Sequence, residues 1–82
     1  MQNYPNPFNP STKIKFNIPD DGFVSLKVYD INDKQIADLV HDFRKAGCYA
    51  VDYNGQNLSS GIYIYKMKAG NFSEHKRMLL VK

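Results

Sequence analysis

The sequence predicts an all-β domain: an antiparallel two-sheet sandwich, immunoglobulin-like, with six to seven strands. Three observations carry this. Short runs of β-branched and aromatic residues recur between turn signals spaced roughly 8 to 12 residues apart. Apolar and polar residues alternate within these runs, and no stretch has the spacing of a helix. The clearest run is Ser60 to Gly70, in which Tyr63, Tyr65 and Met67 face one way and Ile62, Ile64 and Lys66 the other. Apolar residues on both faces predict an interior strand.

Residues 1–11 read as an extended Pro/Asn-rich segment that docks on the domain, and residues 12–82 as the sandwich itself. Pro5, Pro7 and Pro10 remove backbone donors and fix φ near −65°, so this segment is neither helix nor central strand. Tyr4 and Phe8 are its expected anchors. From Thr12 to Ile18, Ile14, Phe16 and Ile18 point inward. Pro19-Asp20-Asp21-Gly22 turns the chain into Phe23–Asp30, where Val24, Leu26 and Val28 point inward, and the two strands are expected to pair as a hairpin. Asn32-Asp33 suits a left-handed turn. Gln35–Val40 is the next strand, with a bulge where the apolar spacing breaks between Ile36 and Leu39. His41 to Gly47 is expected to be a polar connection. Cys48–Tyr53 alternates again, Asn54-Gly55 marks a turn, and the last strand runs from Phe72 to about Val81. Its centre is polar and its end, Met78 to Val81, is apolar on both faces.

At 82 residues the chain makes one thin core and leaves little room for a deep catalytic pocket. The net charge of +3 comes from scattered lysines that alternate with apolar residues, as on a solvated strand face; nucleic-acid binding is not expected. Cys48 is the single cysteine, so no internal disulfide forms, and it is expected to be a small buried hydrophobe. No signal peptide opens the chain, which says nothing of a parent protein, and no apolar run approaches the ~20 residues of a membrane span. His41 and His75 have no metal-ligand spacing around them; Asp30, Asn32 and Asp33 fail the calcium-loop pattern because Lys34 follows. No nucleophile motif, P-loop or dinucleotide fingerprint is present. The expectation is a domain that is not an enzyme and takes no cofactor.

Several stretches in order resemble one family. Asn3-Tyr4-Pro5-Asn6-Pro7-Phe8-Asn9-Pro10-Ser11-Thr12 resembles the opening motif of the type A C-terminal sorting domains of the type IX secretion system. Val24-Ser25-Leu26-Lys27-Val28-Tyr29-Asp30 resembles their central hairpin strand. Leu58-Ser59-Ser60-Gly61-Ile62-Tyr63-Ile64-Tyr65 and Lys76-Arg77-Met78-Leu79-Leu80-Val81-Lys82 resemble their last two motifs. One departure is visible: Asp33-Lys34 stands where the family usually has Gly-Arg in the hairpin turn.

The resemblance implies a C-terminal sorting signal that carries a larger secreted protein, the N-terminal cargo, across the outer membrane of a Gram-negative bacterium. The implied partners are the outer-membrane translocation machinery and a sortase-like peptidase. The implied route is the periplasm in transit, then the cell surface or the medium. Lys76, Arg77, Met78, Leu79, Leu80, Val81 and Lys82 are the expected recognition residues, read through strand addition and charge steering. The competing expectation is an accessory carbohydrate-binding or spacer module of an extracellular enzyme, with the six tyrosines as a stacking surface.

Overall fold

The alternation seen in the sequence becomes two antiparallel sheets in a computed structural model, which describes residues 2–82. The strands are β1 (Gln2–Tyr4), β2 (Ser11–Ile18), β3 (Gly22–Tyr29), β4 (Gln35–Arg44), β5 (Gly47–Asn54), β6 (Gly61–Ala69) and β7 (Phe72–Leu80). One sheet has the order β1-β2-β5, the other β4-β3-β6-β7. The Ser60–Gly70 stretch contains β6, which is interior as expected, between β3 and β7; its outward apolar residue Ile62 is nonetheless 40% exposed, because the outer face of this sheet is open.

The inward sets meet between the sheets. Ile14, Phe16 and Ile18 from β2 and Val24, Leu26 and Val28 from β3 are all buried, with Tyr53, Tyr63, Tyr65, Met67, Met78 and Leu80 completing the core. Phe8, from the proline-rich segment, is 1% exposed and belongs to the same cluster.

The β3–β4 turn is built on Asp30. Its Oδ1 accepts the backbone N–H groups of Asn32 and Lys34, both at 2.9 Å, and the Asp33 N–H donates to the Asp30 carbonyl. Asp33 sits at φ 65°, the left-handed position the turn demands. The expected break in β4 is present. Leu26 pairs with Val40 and Lys27 with Asp38, so Leu39 is the extra residue; a second shift skips Ile36. At the β6–β7 turn, Gly70 has φ 62° at the first central position, as a type II′ loop requires.

Four expectations are corrected. β2 and β3 do not form a hairpin: β2 pairs with β1 and β5, β3 with β4 and β6. The Pro19–Gly22 link arches between sheets, pinned where Asp21 Oδ1 accepts the Ala46 N–H at 2.7 Å, so the two apolar faces oppose one another across the core. His41 to Arg44 is no loop but the end of β4, paired opposite Gly22–Ser25. Cys48 is exposed, because it stands opposite Asn17 on the outer face of β2, while its neighbour Tyr49 stacks on Phe16. Tyr4 is 75% exposed and is no anchor; it pairs with Lys13, whose side chain also faces out.

Candidate recognition surface

The opening motif and the closing motif lie against one another. β7 is an edge strand, and near its end the chain from Asn6 to Phe8 runs along the open side. Phe8 forms a parallel bridge with Leu80: its N–H donates to the Leu79 carbonyl and its carbonyl accepts from Val81, both at 2.9 Å. The Asn6 side-chain Oδ1 accepts the Leu79 N–H at 3.0 Å. An edge strand leaves such groups without protein partners unless something covers them; here the proline-rich segment does. Its other ties follow from its own carbonyls. Thr12 Oγ1 donates to Pro5 and Gly55 N–H donates to Pro10.

Gly55 fits beneath this crossing because it lacks a side chain. A Cβ there would stand 3.2 Å from both Leu80 and Phe8 and 3.3 Å from the Pro10 carbonyl. The Asn54-Gly55 pair thus does more than turn the chain. Close backbone approach and a turn share the same residue signal, which is why sequence reasoning missed this role.

The expected recognition residues divide by face. Met78 and Leu80 are buried at 1% and 0%. Leu79 and Val81 are exposed apolar side chains, at 39% and 45%. Lys76 and Arg77 are exposed. Lys82 is tied down: its N–H donates to Ser60 Oγ at 3.0 Å and its Nζ to the Gln56 carbonyl. Leu79 and Ile62 face one another on the outer side of the sheet, where they border a shallow cleft with Asn6 and Arg77. The strand's open side at Leu79–Val81, however, is already occupied by the chain's own Asn6 and Phe8. Of the remaining motif residues, Leu26, Val28 and Tyr65 are core; the Tyr63 hydroxyl donates to the Ser59 carbonyl; Asp30 organises the hairpin turn. Gly61 begins β6 opposite Leu80. Asn9 is exposed and Pro7 is exposed.

Beside this end, the outer face of the four-stranded sheet is basic. Lys27 pairs with Lys66 and Lys66 with His75, which sets Lys27, Lys66 and His75 in one row across β3, β6 and β7. Arg77 and Lys68 flank the row. The Lys66 ammonium lies 4.5 Å from the Tyr29 ring centroid and 3.0 Å from Asp33 Oδ1. A groove of about 570 Å³ runs over Lys27, Tyr29, Lys66, Lys68 and His75. Register, not sequence, brings them together. Among the described residues no cluster of three or more His, Cys, Asp or Glu side chains has metal-site geometry, and no helix is long and apolar enough to cross a membrane.

Of the six tyrosines expected as a stacking surface, Tyr53, Tyr63 and Tyr65 are buried, Tyr49 is half-buried against Phe16, Tyr29 is half-buried beneath the Lys66 ammonium, and Tyr4 is exposed.

Neither a curated protein nor a solved structure matches the chain. A family model does: that of the secretion system C-terminal sorting domain, over residues 2–82. The family supports a role as a C-terminal sorting domain of type IX secretion, implies interaction with that machinery and with an N-terminal cargo, and is not a family of enzymes. With essentially the whole chain matched, and with its opening and closing motifs folded onto one another, this protein belongs to the secretion system C-terminal sorting domain family.

Proposed function

We propose that the domain is the address that carries a larger protein across the outer membrane through the type IX translocation machinery, passing through the periplasm and ending at the cell surface or in the medium. A sortase-like peptidase then acts on the cargo junction. The single observation that carries this reading is the locked last strand: the Asn6–Phe8 segment clamps Leu79 to Val81 and makes this stretch a fixed surface. A signal read by a partner benefits from such fixing, because ordering costs are met before binding. Residues Lys76 to Lys82 present Leu79 and Val81 as apolar contacts and Lys76 and Arg77 as charged ones, while Met78 and Leu80 hold the strand to the core.

The division into a docked segment, 1–11, and a sandwich, 12–82, belongs to the same proposal. The segment folds with the domain because Phe8 is one of its core residues.

A photo-crosslinking residue at Val81, in a cargo fusion expressed in a type IX bacterium, tests the reading. We expect adducts with an outer-membrane component of the machinery, absent when the probe stands at Asp52 on the far sheet. Equal adducts from both positions, or none from either while the fusion is folded and present, would remove support for recognition through this end.

A further inference from the structure

We propose that the open edge of β7 from Ser73 to Arg77 is a docking site for an acidic, extended strand of a protein partner. This deepens the sorting reading and depends on it only for where that partner resides. The Asn6–Phe8 segment covers the edge at Leu79–Val81 and no further; among the described residues β7 has no other neighbour on that side. In an antiparallel ladder the residues whose backbone points away from the neighbour alternate. Leu79 is one, as its bonds to Asn6 and Phe8 show. Arg77, His75 and Ser73 follow at the same spacing, so their N–H and C=O groups point outward. The edge thus continues, in line, from an interface the chain already makes with itself.

The same three residues share the outer face of the sheet with Leu79, next to Lys66 and Lys68. A strand added to this edge places every second side chain over that face, opposite Arg77, His75 and Ser73. The groove there is lined by Lys27, Lys66, Lys68 and His75, with the Ser25 and Ser73 hydroxyls beside them. Lys27 stands directly opposite Lys66, a like-charge pairing that disfavours the isolated sheet. The nearby acids answer only part of this charge. Asp33 pairs with Lys66, Asp38 stands opposite Lys27 in register and 3.9 Å from His41, and Glu74 lines the groove. Lys27, Lys68 and Arg77 make no ion pair among the described residues. The outward backbone groups and the Arg77 guanidinium therefore meet at one edge, with Lys68 one strand in from it and Lys27 a strand farther. An acidic strand answers both, whereas a polysaccharide polyanion answers the charge alone.

The test uses the whole chain and a short capped peptide that alternates Glu and Val. We expect saturable binding at low salt, weakened as salt rises, with amide-exchange protection appearing at Ser73, His75 and Arg77. His75→Pro removes an outward N–H without touching the β6 pairing and should abolish binding. Should that variant fail to fold, Lys68→Gln combined with Arg77→Gln should weaken binding on the order of tenfold at low salt while leaving the thermal midpoint nearly unchanged. A peptide that binds without protecting those amides, dextran sulfate binding in its place, or no binding at all would overturn the proposal. Each of these leaves export of a fusion unaffected as a separate measurement, so failure here and failure of the sorting role are told apart.

Discussion

Phe8 and Leu80 bridge the two ends of the chain: backbone bonds on either side of Leu80 reach the N–H and carbonyl of Phe8, whose ring is buried in the core. The proline-rich opening and the closing strand are therefore one structural unit.

Removing the Phe8 ring should loosen both ends together. Phe8→Ala should cost about 3–5 kcal/mol, the usual range for a fully buried phenylalanine. Denaturant unfolding measures the loss. Amide exchange at Leu79 and Val81 should rise more than at the distant β2–β5 pairs.

Gly55→Ala tests the crossing from beneath. The new methyl meets Leu80, Phe8 and the Pro10 carbonyl at 3.2 to 3.3 Å, and a backbone oxygen gives way less easily than a side-chain end. Overpacking of this kind should cost about 1–3 kcal/mol. An unchanged thermal midpoint would mean that the crossing is looser than its distances imply.

Asp33→Gly should act in the opposite direction. Asp33 holds a left-handed φ of 65° that glycine takes without strain, and the Asp30 contacts that shape the turn do not involve the Asp33 side chain. The exposed bond to Lys66 is lost, which matters little. The variant should be neutral or more stable by up to about 1 kcal/mol in equilibrium unfolding. A loss of stability would show that the Asp33–Lys66 pair contributes more than an exposed pair usually does.

Much of this was legible in the sequence, and the limits have physical causes. Ile14, Phe16, Ile18, Val24, Leu26 and Val28 all face inward as their alternation predicts, because the period of a strand is fixed. Which strands pair is a different matter. Pro19–Gly22 is short enough for a hairpin or an arch, and periodicity does not separate them; the structure takes the arch. Tyr4 and Phe8 look equivalent as anchors, but pairing of Tyr4 with outward-facing Lys13 sends its ring to solvent. At the recognition end, the two-faced apolar character of Met78 to Val81 was visible, and its cause is a split between core and surface with the edge covered by Asn6 and Phe8. The row of Lys27, Lys66 and His75 exists only through register and was invisible along the chain.

High pH should destabilise the fold through Tyr53. Burial, followed by the neighbouring Tyr63, raises the Tyr53 hydroxyl above its ordinary value of 10.0. The folded state then holds this proton more tightly than the unfolded chain. Stability is fully present below pH 10 and falls as pH rises through the folded value. Tyr53→Phe should flatten that decline in unfolding measurements above pH 10. An equally steep decline in the variant would assign it to other groups.

The most direct measurement is export of a fusion. Residues 2–82 at the C-terminus of a periplasm-directed fluorescent protein should bring it to the surface or medium of a bacterium with type IX secretion, and leave it in the periplasm of a strain lacking the translocation machinery. A variant with Leu79→Ser and Val81→Ser, both exposed, should fold and yet be exported less. Retention of the unaltered fusion, with the machinery active on its own substrate, would contradict the sorting role of this domain.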